Sequence, residues 1–485
     1  MEWMILTFVG ALAALVCLLG GAFLLRGALL DWVVDRSVKR LLKDRYDENL
    51  WDLVLGLTRF PPHVLLELEL RAEFGDVLVR PLGSVRQLPD FAGVAFNPAQ
   101  LVRAPLPPRT EVDLTTRIGP RARNPLQVEM PILIGALSYG VALSKPFVMA
   151  LARGGSQAGT AYNAGSGPLL DAVRENTRHL ILQYAGGAWS REFNTLAAAD
   201  MIEIRYGHGG RAALGRVVRA AELPPEARDM LQIGKAGEAI MEAPLPGAAT
   251  PTELRRLVPE LRKLIGGKPV GVKLAATHDL ERELAAVLEA GVDVVAIDGA
   301  GGGTHGSPPI IADDFGIPTV HALQRAVRFL ERSGARRDVS LIVGGKLRTP
   351  GEILKALALG ADAVYLGMAV VMACTHKQLS KSVPFEPITQ IAWATGAKAD
   401  TFDSDQGAET VANFLRACAA ELAEAARGLG KRSIREIGRE DLVALDRETA
   451  AVLGLSPSWR SPPAPPPEQA PSLRRAKRLS RGDRL

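Results

Sequence analysis

Cysteine is scarce in this chain of 485 residues, which contains only Cys17, Cys374 and Cys418. No two of them form a C-x-x-C pair, so the sequence offers too few thiolates for a zinc site or an iron–sulfur cluster. We therefore expect neither group. The same scarcity excludes a disulfide framework and favours a reducing compartment.

Aromatic residues make up only 5% of the chain and charged residues 23%, whereas hydrophobic residues make up 47%. Disordered chains are poor in apolar residues and rich in charge, so wholesale disorder is excluded. An apolar fraction rich in Ala, Leu, Val and Gly is typical of helices packed on parallel strands. The length corresponds to about three domains of roughly 150 residues, although a single (β/α) barrel can absorb about 250 to 400 residues.

Excess positive charge is almost absent from most of the chain. The net charge is +5, and residues 462–485 alone carry six basic and two acidic side chains. The remainder is therefore nearly neutral, which argues against a nucleic-acid-binding surface on the folded body. We interpret this basic tail as a solvated, disordered end, with attachment to anionic lipid as the alternative.

Residues 4–25 contain no charged side chain. At about 1.5 Å per residue such a helix is about 33 Å long, enough to cross a hydrocarbon core of about 30 Å. The run is longer than the ~7–15-residue core of a secretion signal and no A-x-A site follows it, which favours a retained anchor. Six basic residues lie between positions 26 and 45. By the positive-inside rule we predict a single-pass protein of the inner (cytoplasmic) membrane with its C-terminal body in the cytoplasm.

A regular alternation of apolar runs and amphipathic segments begins at residue 129. Apolar runs without polar alternation are typical of buried parallel strands. We predict eight such strands, at residues 130–135, 159–163, 179–184, 201–205, 269–275, 292–298, 339–344 and 363–367. Helix-length segments between the later strands cover residues 252–265, 280–290, 320–333 and 350–359. The pattern predicts an α/β chain with a (β/α)₈ TIM-type barrel, an N-terminal transmembrane helix and peripheral N- and C-terminal extensions.

Five segments follow from this interpretation. Residues 1–28 form the anchor, and residues 29–124 form a juxtamembrane helix and a Pro- and Arg-rich covering segment. Residues 125–400 form the barrel, in which 206–250 is an insertion on the top face. A C-terminal helical extension, including a short helical pair at 431–446, covers residues 401–455, and a disordered Pro-rich and basic tail covers 456–485.

Glycines follow the seventh and eighth predicted strands, where barrel enzymes commonly bind a phosphate. Gly344 and Gly345 end the seventh strand and Gly367 ends the eighth. A backbone without Cβ atoms lets amide groups approach an anion, and each strand leads into a helix whose N-terminus is positive. The structural alternative is a pair of tight turns.

Two further features point to a flat, redox-active ligand at the same end of the barrel. The loop after the sixth strand has five glycines within residues 299–306, so its backbone can lie against a planar ring. Lys273 lies inside an apolar strand, where a lysine is costly unless it is paired. Facing a flavin, it could stabilise the negative charge that develops on reduction. The alternative is pairing with a core carboxylate.

These segments resemble a known family. The matching stretches are GALSYG with LSK, AGTAYNAGSG, PVGVKL, DGAGGGTHGSPP, GGKLRTPGEILKALALGADAVYLG and IAWATG. In order and spacing, residues 130–376 resemble the FMN-binding synthase domain of glutamate synthase. More specifically, they resemble the short, membrane-anchored proteins of that family, which lack the other synthase domains.

The resemblance implies a non-covalent FMN and a reductive reaction. In that reaction 2-oxoglutarate and ammonia give 2-iminoglutarate, which takes a hydride from reduced FMN to become glutamate. Lys273 would reach the pyrimidine edge of the flavin. The other positions implied to hold FMN are Ala136, Leu137 and Ser138 against the ring, Gly301, Gly302 and Thr304 in its wall, and Gly344, Gly345 and Gly367 at the phosphate.

Departures from the family pattern shape the expected partners. The N-terminal glutaminase cysteine is missing, Cys374 stands alone where the family has a cysteine cluster, and no G-x-G-x-x-G follows a strand. Electrons must then come from a separate protein, and ammonia is free or supplied by a partner. Ser166 replaces the glutamate of the family's NTGEGG segment and Val320 its acidic substrate-loop residue, so substrate identity stays open.

We predict two catalytic residues, Lys273 and His305. His305 stands where the family has glycine, and a histidine with a pKa near neutrality could donate a proton to a substrate beside the flavin. The alternative is a hydrogen-bonded loop histidine. Two other functions remain open: FMN-dependent oxidation of a hydroxy acid or amine, for which His208 and Arg211 offer a weak substrate pair, and a catalytically silent flavin-binding scaffold.

Overall fold

The computed structural model describes residues 2–43, 45, 51–383 and 387–461. The chain divides into two compact units, Met1–Leu78 and Val79–Leu485. The segment 462–485, which contains most of the predicted tail, lies outside the described residues.

The first unit contains three helices, α1 (Glu2–Lys43), α2 (Trp51–Arg59) and α3 (Pro62–Phe74). Proline at the first position of α3 costs no hydrogen bond, and Gly75 ends the helix with a φ of 63°. In place of an anchor and a separate juxtamembrane helix, α1 is one continuous helix of 42 residues.

The predicted anchor is wrong. Within the residues that the structure describes, no helix is both long enough and apolar enough to cross a membrane. This finding contradicts the single-pass localisation, and with it the membrane as a partner and the membrane-anchored subgroup as the resemblance. The prediction rested on the hydropathy of residues 4–25 alone, whereas the helix continues unbroken through the charged residues Asp31, Asp35 and Arg36.

The second unit holds the sheets. Its strands are β1 (Val94–Phe96), β2 (Thr116–Ile118), β3 (Leu126–Val128), β4 (Ile132–Ile134), β5 (Tyr162–Asn163), β6 (Leu180–Tyr184), β7 (Met201–Arg205), β8 (Arg216–Arg219), β9 (Glu238–Met241), β10 (Val270–Ala275), β11 (Val294–Asp298), β12 (Ser340–Gly344), β13 (Ala363–Leu366) and β14 (Leu442–Ala444). Eight of them close into a parallel barrel in the order β4-β5-β6-β7-β10-β11-β12-β13. The predicted eight-stranded barrel is confirmed.

Helices follow most of the barrel strands, and further helices lie in the insertion and in the C-terminal extension. The helices of the second unit are α4 (Lys145–Gln157), α5 (Asp171–Glu175), α6 (Phe193–Leu196), α7 (Pro225–Met230), α8 (Pro251–Leu264), α9 (Leu280–Glu289), α10 (Pro309–Asp314), α11 (Thr319–Arg332), α12 (Pro350–Ala358), α13 (Met368–Thr375), α14 (Pro387–Ile391), α15 (Ser404–Gly428) and α16 (Arg447–Leu453). Two helices begin with reciprocal capping boxes, Thr250 with Glu253 in α8 and Thr349 with Glu352 in α12. These caps fix where each helix starts after its loop.

The core lies on both sides of the barrel wall. Branched aliphatic residues of the strands are fully buried, including Ile132, Ile202 and Val295, and they pack against apolar helix faces. A second cluster, with Leu133, Ile181 and Ala296 among its members, is formed by the alternate residues of the same strands. This two-sided burial explains why the strands read as continuous apolar runs.

Segments outside the barrel pair with one another across long stretches of chain. Strand β1 is antiparallel to β14, and β2 is antiparallel to β3. Residues 431–446, predicted as a helical pair, instead form two 3₁₀ turns, Ile434–Glu436 and Arg439–Asp441, followed by β14. The pairing with β1, more than 340 residues away, decides that conformation. The insertion 206–250 folds into the β8–β9 hairpin and α7.

Candidate functional site

A cavity of about 430 Å³ opens at the carboxyl ends of the barrel strands. Its volume falls within the range of about 300–1,000 Å³ that is usual for small-molecule sites. The predicted site residues that line it are Ala136, Leu137, Ser138, Lys273, Gly301, Gly302, Thr304, His305, Gly345 and Gly367. The structure thus brings ten of the eleven predicted residues together in one cavity. Their roles toward FMN stay predictions.

Gly344 does not line the cavity. It ends β12 opposite Asp298 of β11 in the parallel register. A Cβ on Gly344 would fall 2.3 Å from Asp298 Oδ1, so glycine here makes room for a carboxylate. Gly345 has a φ of 104°, a conformation that favours glycine. A Cβ on Gly367 would meet no atom within 4 Å, which leaves open space where α13 begins.

Lys273 is paired, as one of the two sequence-based interpretations required. Its Nζ lies 3.0 Å from Asp298 Oδ2, and the two side chains are 4% and 16% exposed. Nζ also lies 4.9 Å from the centre of the Tyr365 ring, within cation–π distance. Lysine and aspartate both line the cavity, so this ion pair belongs to the site as well as to the barrel.

A hydrogen-bonded network lies beneath this pair, centred on Glu203. The Glu203 carboxylate is fully buried. It accepts hydrogen bonds from Asn163 Nδ2 at 2.9 Å, Gln183 Nε2 at 2.7 Å and Tyr365 Oη at 2.9 Å. Burial and the Glu203 charge raise the pKa of Tyr365 well above its usual value, so its hydroxyl stays a donor. Such donors are what a buried carboxylate requires.

Three arginines line the side of the cavity formed by β7 and the insertion: Arg205, Arg211 and Arg216. They donate to neutral acceptors, namely the Ser166 hydroxyl and the carbonyls of Gly306, Gly215 and Val141. The buried Nε atoms of Arg205 and Arg211 have no hydrogen-bond partner within the described residues.

Burial lowers the pKa of all three arginines, and the charges of neighbouring arginines add to this effect at Arg205 and Arg211. Burial, followed by the charges of Arg216 and Arg205, lowers the pKa of Arg211 to about 10. Burial also lowers the pKa of Arg205 and of Arg216. All three remain cationic at neutral pH. A cluster of buried cations with unsatisfied donors is suited to an anionic ligand.

The two histidines of the cavity are neutral bases, which corrects the expectation of a pKa near neutrality. Burial, followed by the charges of Arg216 and Arg211, lowers the pKa of His305 to about 3. Burial, followed by the charge of Arg205, lowers the pKa of His208 well below its usual value. The Nδ1 atom of His305 is buried without a partner in the described chain. At pH 7 His305 is therefore not a cationic proton donor.

One wall of the cavity comes from a distant segment that we term the strap, residues 79–88. It pairs with the glycine-rich loop after β11, because Arg80 and Ser307 exchange two backbone hydrogen bonds of 2.9 and 3.1 Å. Asp313 of α10 accepts from Arg80 Nη2 and from Ser84 Oγ, each at 2.6 Å. The strap residues that line the cavity are Leu82, Ser84, Val85 and Gln87.

Sequence reasoning missed several residues of the site. For Glu203 and Arg205 a signal existed, because two charged residues at i and i+2 in an apolar strand share one face. Asp298 ends a predicted strand next to the glycine-rich loop, but nothing local pairs it with Lys273. Among the described residues, no group of three or more His, Cys, Asp or Glu side chains could hold a metal ion.

Comparisons with known proteins give a consistent picture. A family model described as "Conserved region in glutamate synthase" matches residues 103–432. A glutamate synthase large subunit-like protein of Rhizobium meliloti is 30% identical over 412 residues, which cover 81% of this chain and 93% of the relative. An archaeal glutamate synthase [NADPH] of Archaeoglobus fulgidus is 31% identical over 354 residues, covering 71% and 68%. A mandelate oxidase variant with an FMN monooxide adduct has 18% identity and a TM-score of 0.45, covering 72% and 87%, too low to bear on chemistry.

Proposed function

The chain belongs to the glutamate synthase family, and we propose that it is an FMN-dependent oxidoreductase that transfers a hydride from reduced FMN to an anionic 2-imino or 2-oxo acid. In its specific form the reaction converts 2-oxoglutarate and ammonia to glutamate. The single observation that carries the proposal is the arginine cluster of Arg205, Arg211 and Arg216, which lines the same cavity as Lys273. Arg205 is level with Lys273 on the neighbouring strand β7.

The residues of the cavity fit FMN. Gly345 has a φ of 104° and Gly367 has open space where a Cβ would lie, and these glycines stand just after β12 and β13, where a phosphate would be held. Ala136, Leu137 and the loop with Gly301, Gly302 and Thr304 would border the ring. Ser138 Oγ is used to accept from the Ser166 amide at 2.9 Å, which ties the loops after β4 and β5 together. When bound, FMN supplies the hydride.

The substrate would lie between the flavin and the arginines. Two or three guanidinium groups can hold the carboxylates of the substrate and fix its α-carbon in one orientation. The Nε donors of Arg205 and Arg211, which have no partner in the described residues, would gain one from a bound anion. Residues of the strap and of the β8–β9 hairpin border this space. The proton that completes reduction of an imine would come from the iminium itself or from solvent, since His305 is neutral.

A separate electron donor completes the proposal. Within the sequence, Cys374 and Cys418 are single and buried, and the glycine pattern of a nicotinamide-binding strand is missing. We propose that a partner protein reduces the flavin and that ammonia arrives free or from a partner.

The second candidate is FMN-dependent oxidation of a hydroxy acid or an amine. The observation that favours it is that His208 and Arg211 line the same cavity. Such a reaction needs an imidazole to accept a proton and a guanidinium to bind the carboxylate of the substrate. A silent flavin-binding scaffold is disfavoured, because it has no use for buried cations that are costly to maintain.

One experiment separates the three functions. The purified protein is loaded with FMN, reduced anaerobically and mixed with 2-oxoglutarate and ammonium while its visible spectrum is followed. Return of the oxidised flavin bands only when both reagents are present supports the synthase reaction. Bleaching of oxidised flavin by a hydroxy acid or an amine supports the second candidate. A flavin that responds to neither indicates a scaffold, and no flavin binding overturns the cofactor.

A further inference from the structure

Two carboxylates lie on the strands next to Lys273 inside the barrel, and the strand register places them at different heights. Across β7 and β10, Glu203 lies level with Gly271, which is two residues below Lys273. Across β10 and β11, Asp298 lies level with Ala275, which is two residues above Lys273. At about 3.3 Å per residue, the two carboxylate-bearing positions are separated by roughly 13 Å along the strand direction.

The ammonium of Lys273 points to the upper carboxylate. Nζ lies 3.0 Å from Asp298 Oδ2, whereas Glu203 is satisfied by the neutral donors of Asn163, Gln183 and Tyr365. Because these donors saturate Glu203, the lower position offers the lysine little. The ammonium is thereby directed to the mouth of the barrel, where the cavity lies.

The space for this arrangement is provided by Gly344. A Cβ at that position would lie 2.3 Å from Asp298 Oδ1 and 3.4 Å from the Cβ of Tyr365. Any larger residue must therefore displace the Asp298 carboxylate. Gly344 thus acts on Lys273 through Asp298, a structural role different from phosphate binding.

We propose that Asp298 is a positioning residue that fixes the height of the Lys273 ammonium and partly neutralises it. This inference rests on the proposed function, because it concerns the same flavin site. A lone lysine at the pyrimidine edge stabilises the negative charge of a reduced flavin strongly, whereas a lysine in an ion pair does so less. The pair therefore keeps the flavin a stronger reductant, as hydride donation requires.

The test measures the midpoint potential of FMN bound to the full chain by equilibration with redox dyes. We expect Asp298→Asn to raise the potential by an amount that corresponds to at least a tenfold change in the equilibrium constant, about 30 mV for a two-electron couple. Lys273→Met should lower it. In the Lys273→Met background, Asp298→Asn should produce less than a third of its effect, because its partner is gone.

A second variant and a matched control protect the test. Gly344→Ala displaces the same carboxylate and should raise the potential in the same direction if Asp298→Asn fails to fold. Asp405→Asn removes an exposed carboxylate that pairs with Arg153 outside the cavity and should leave the potential unchanged. An unchanged or lowered potential in Asp298→Asn, or a rise that persists without Lys273, overturns the inference. These results leave the proposed function standing if the reduced wild-type flavin is still reoxidised by 2-oxoglutarate and ammonium, whereas a wild type without FMN overturns both.

Discussion

The imidazole of His305 stacks on the indole of Trp393, with ring centroids 5.2 Å apart and an interplanar angle of 28°. The stack places His305 at the cavity edge beside Arg211 and Arg216, whose charges lower its pKa together with burial. A residue that was expected to donate a proton as a cation is therefore held neutral. Protonation of His305 at low pH is therefore expected to change the stability of the fold.

The first prediction concerns that titration. The pKa of His305 is about 3 in the folded chain and about 6.5 in an unfolded one. Between these values the unfolded state binds a proton that the folded state does not. Folding stability is therefore lost as the pH falls from 6.5 toward 3, by at most about 1.4 kcal/mol per pH unit.

The measurement is urea unfolding at pH 7 and pH 5 for wild type and for His305→Gln. We expect a smaller loss of stability at pH 5 in the variant. His278→Gln is the control, because His278 lies on the loop before α9 and outside the cavity. Equal losses in wild type and His305→Gln would contradict the neutral assignment.

The second prediction concerns the arginine cluster. Arg211→Gln removes a charged donor to a carboxylate, a bond worth about 1.5–3 kcal/mol. We expect the KM for 2-oxoglutarate to rise about 10- to 100-fold while the flavin spectrum stays unchanged. Because Arg211 is buried without a counter-ion, the variant without substrate should unfold at the same temperature as wild type or higher.

The matched control is Arg256→Gln, since Arg256 is exposed on α8. Steady-state kinetics and thermal unfolding are measured on both variants. An unchanged KM in Arg211→Gln would exclude this arginine from substrate binding. A large fall in thermal stability would show that it serves the fold instead.

The third prediction concerns the buried network around Glu203. Glu203→Gln keeps an oxygen that can accept from Asn163 and Gln183, as Oε1 does, but its NH₂ replaces Oε2 and faces the Tyr365 hydroxyl. All three hydrogen bonds also lose their charged acceptor, so we expect a loss of about 1.5–3 kcal/mol in the free energy of unfolding. Tyr365→Phe removes one donor only and should cost about 1 kcal/mol. Urea denaturation of both variants checks the order, and equal costs would contradict the central role of the carboxylate.

The fourth prediction concerns the strap. Asp313 binds Arg80 and Ser84, and the hydrogen bonds from these residues oppose the effect of burial and lower its pKa. Asp313→Asn should loosen this wall and weaken FMN binding about five- to tenfold, as expected for one lost charge-assisted contact. Flavin fluorescence titration measures the Kd. Asp405→Asn, at an exposed position outside the cavity, should match wild type, and equal affinities in both variants would exclude an anchoring role for Asp313.

Much of the barrel was predictable because its signals are local. Continuous apolar runs and glycine-rich strand ends give β7 and β10–β13 within two residues of their observed limits. The strap, the Lys273–Asp298 pair and the β1–β14 pairing could not be predicted this way, since each joins distant parts of the chain. Arg80 and Asp313, for instance, are separated by 233 positions. The anchor failed for the opposite reason, because a local hydropathy run was treated as decisive.

The strap also decides which segment of this protein could be exchanged between proteins as one functional unit. A fragment of residues 125–400 keeps all eight barrel strands. Its cavity lacks one wall, because Leu82 and Val85 lie outside the fragment. The fragment also lacks both β1 and β14, which pair with each other in the full chain. Recombination that exchanged the barrel alone would thus separate the barrel residues of the cavity from the strap residues that complete its wall. The portion that can move between proteins intact reaches from the strap to the end of α16.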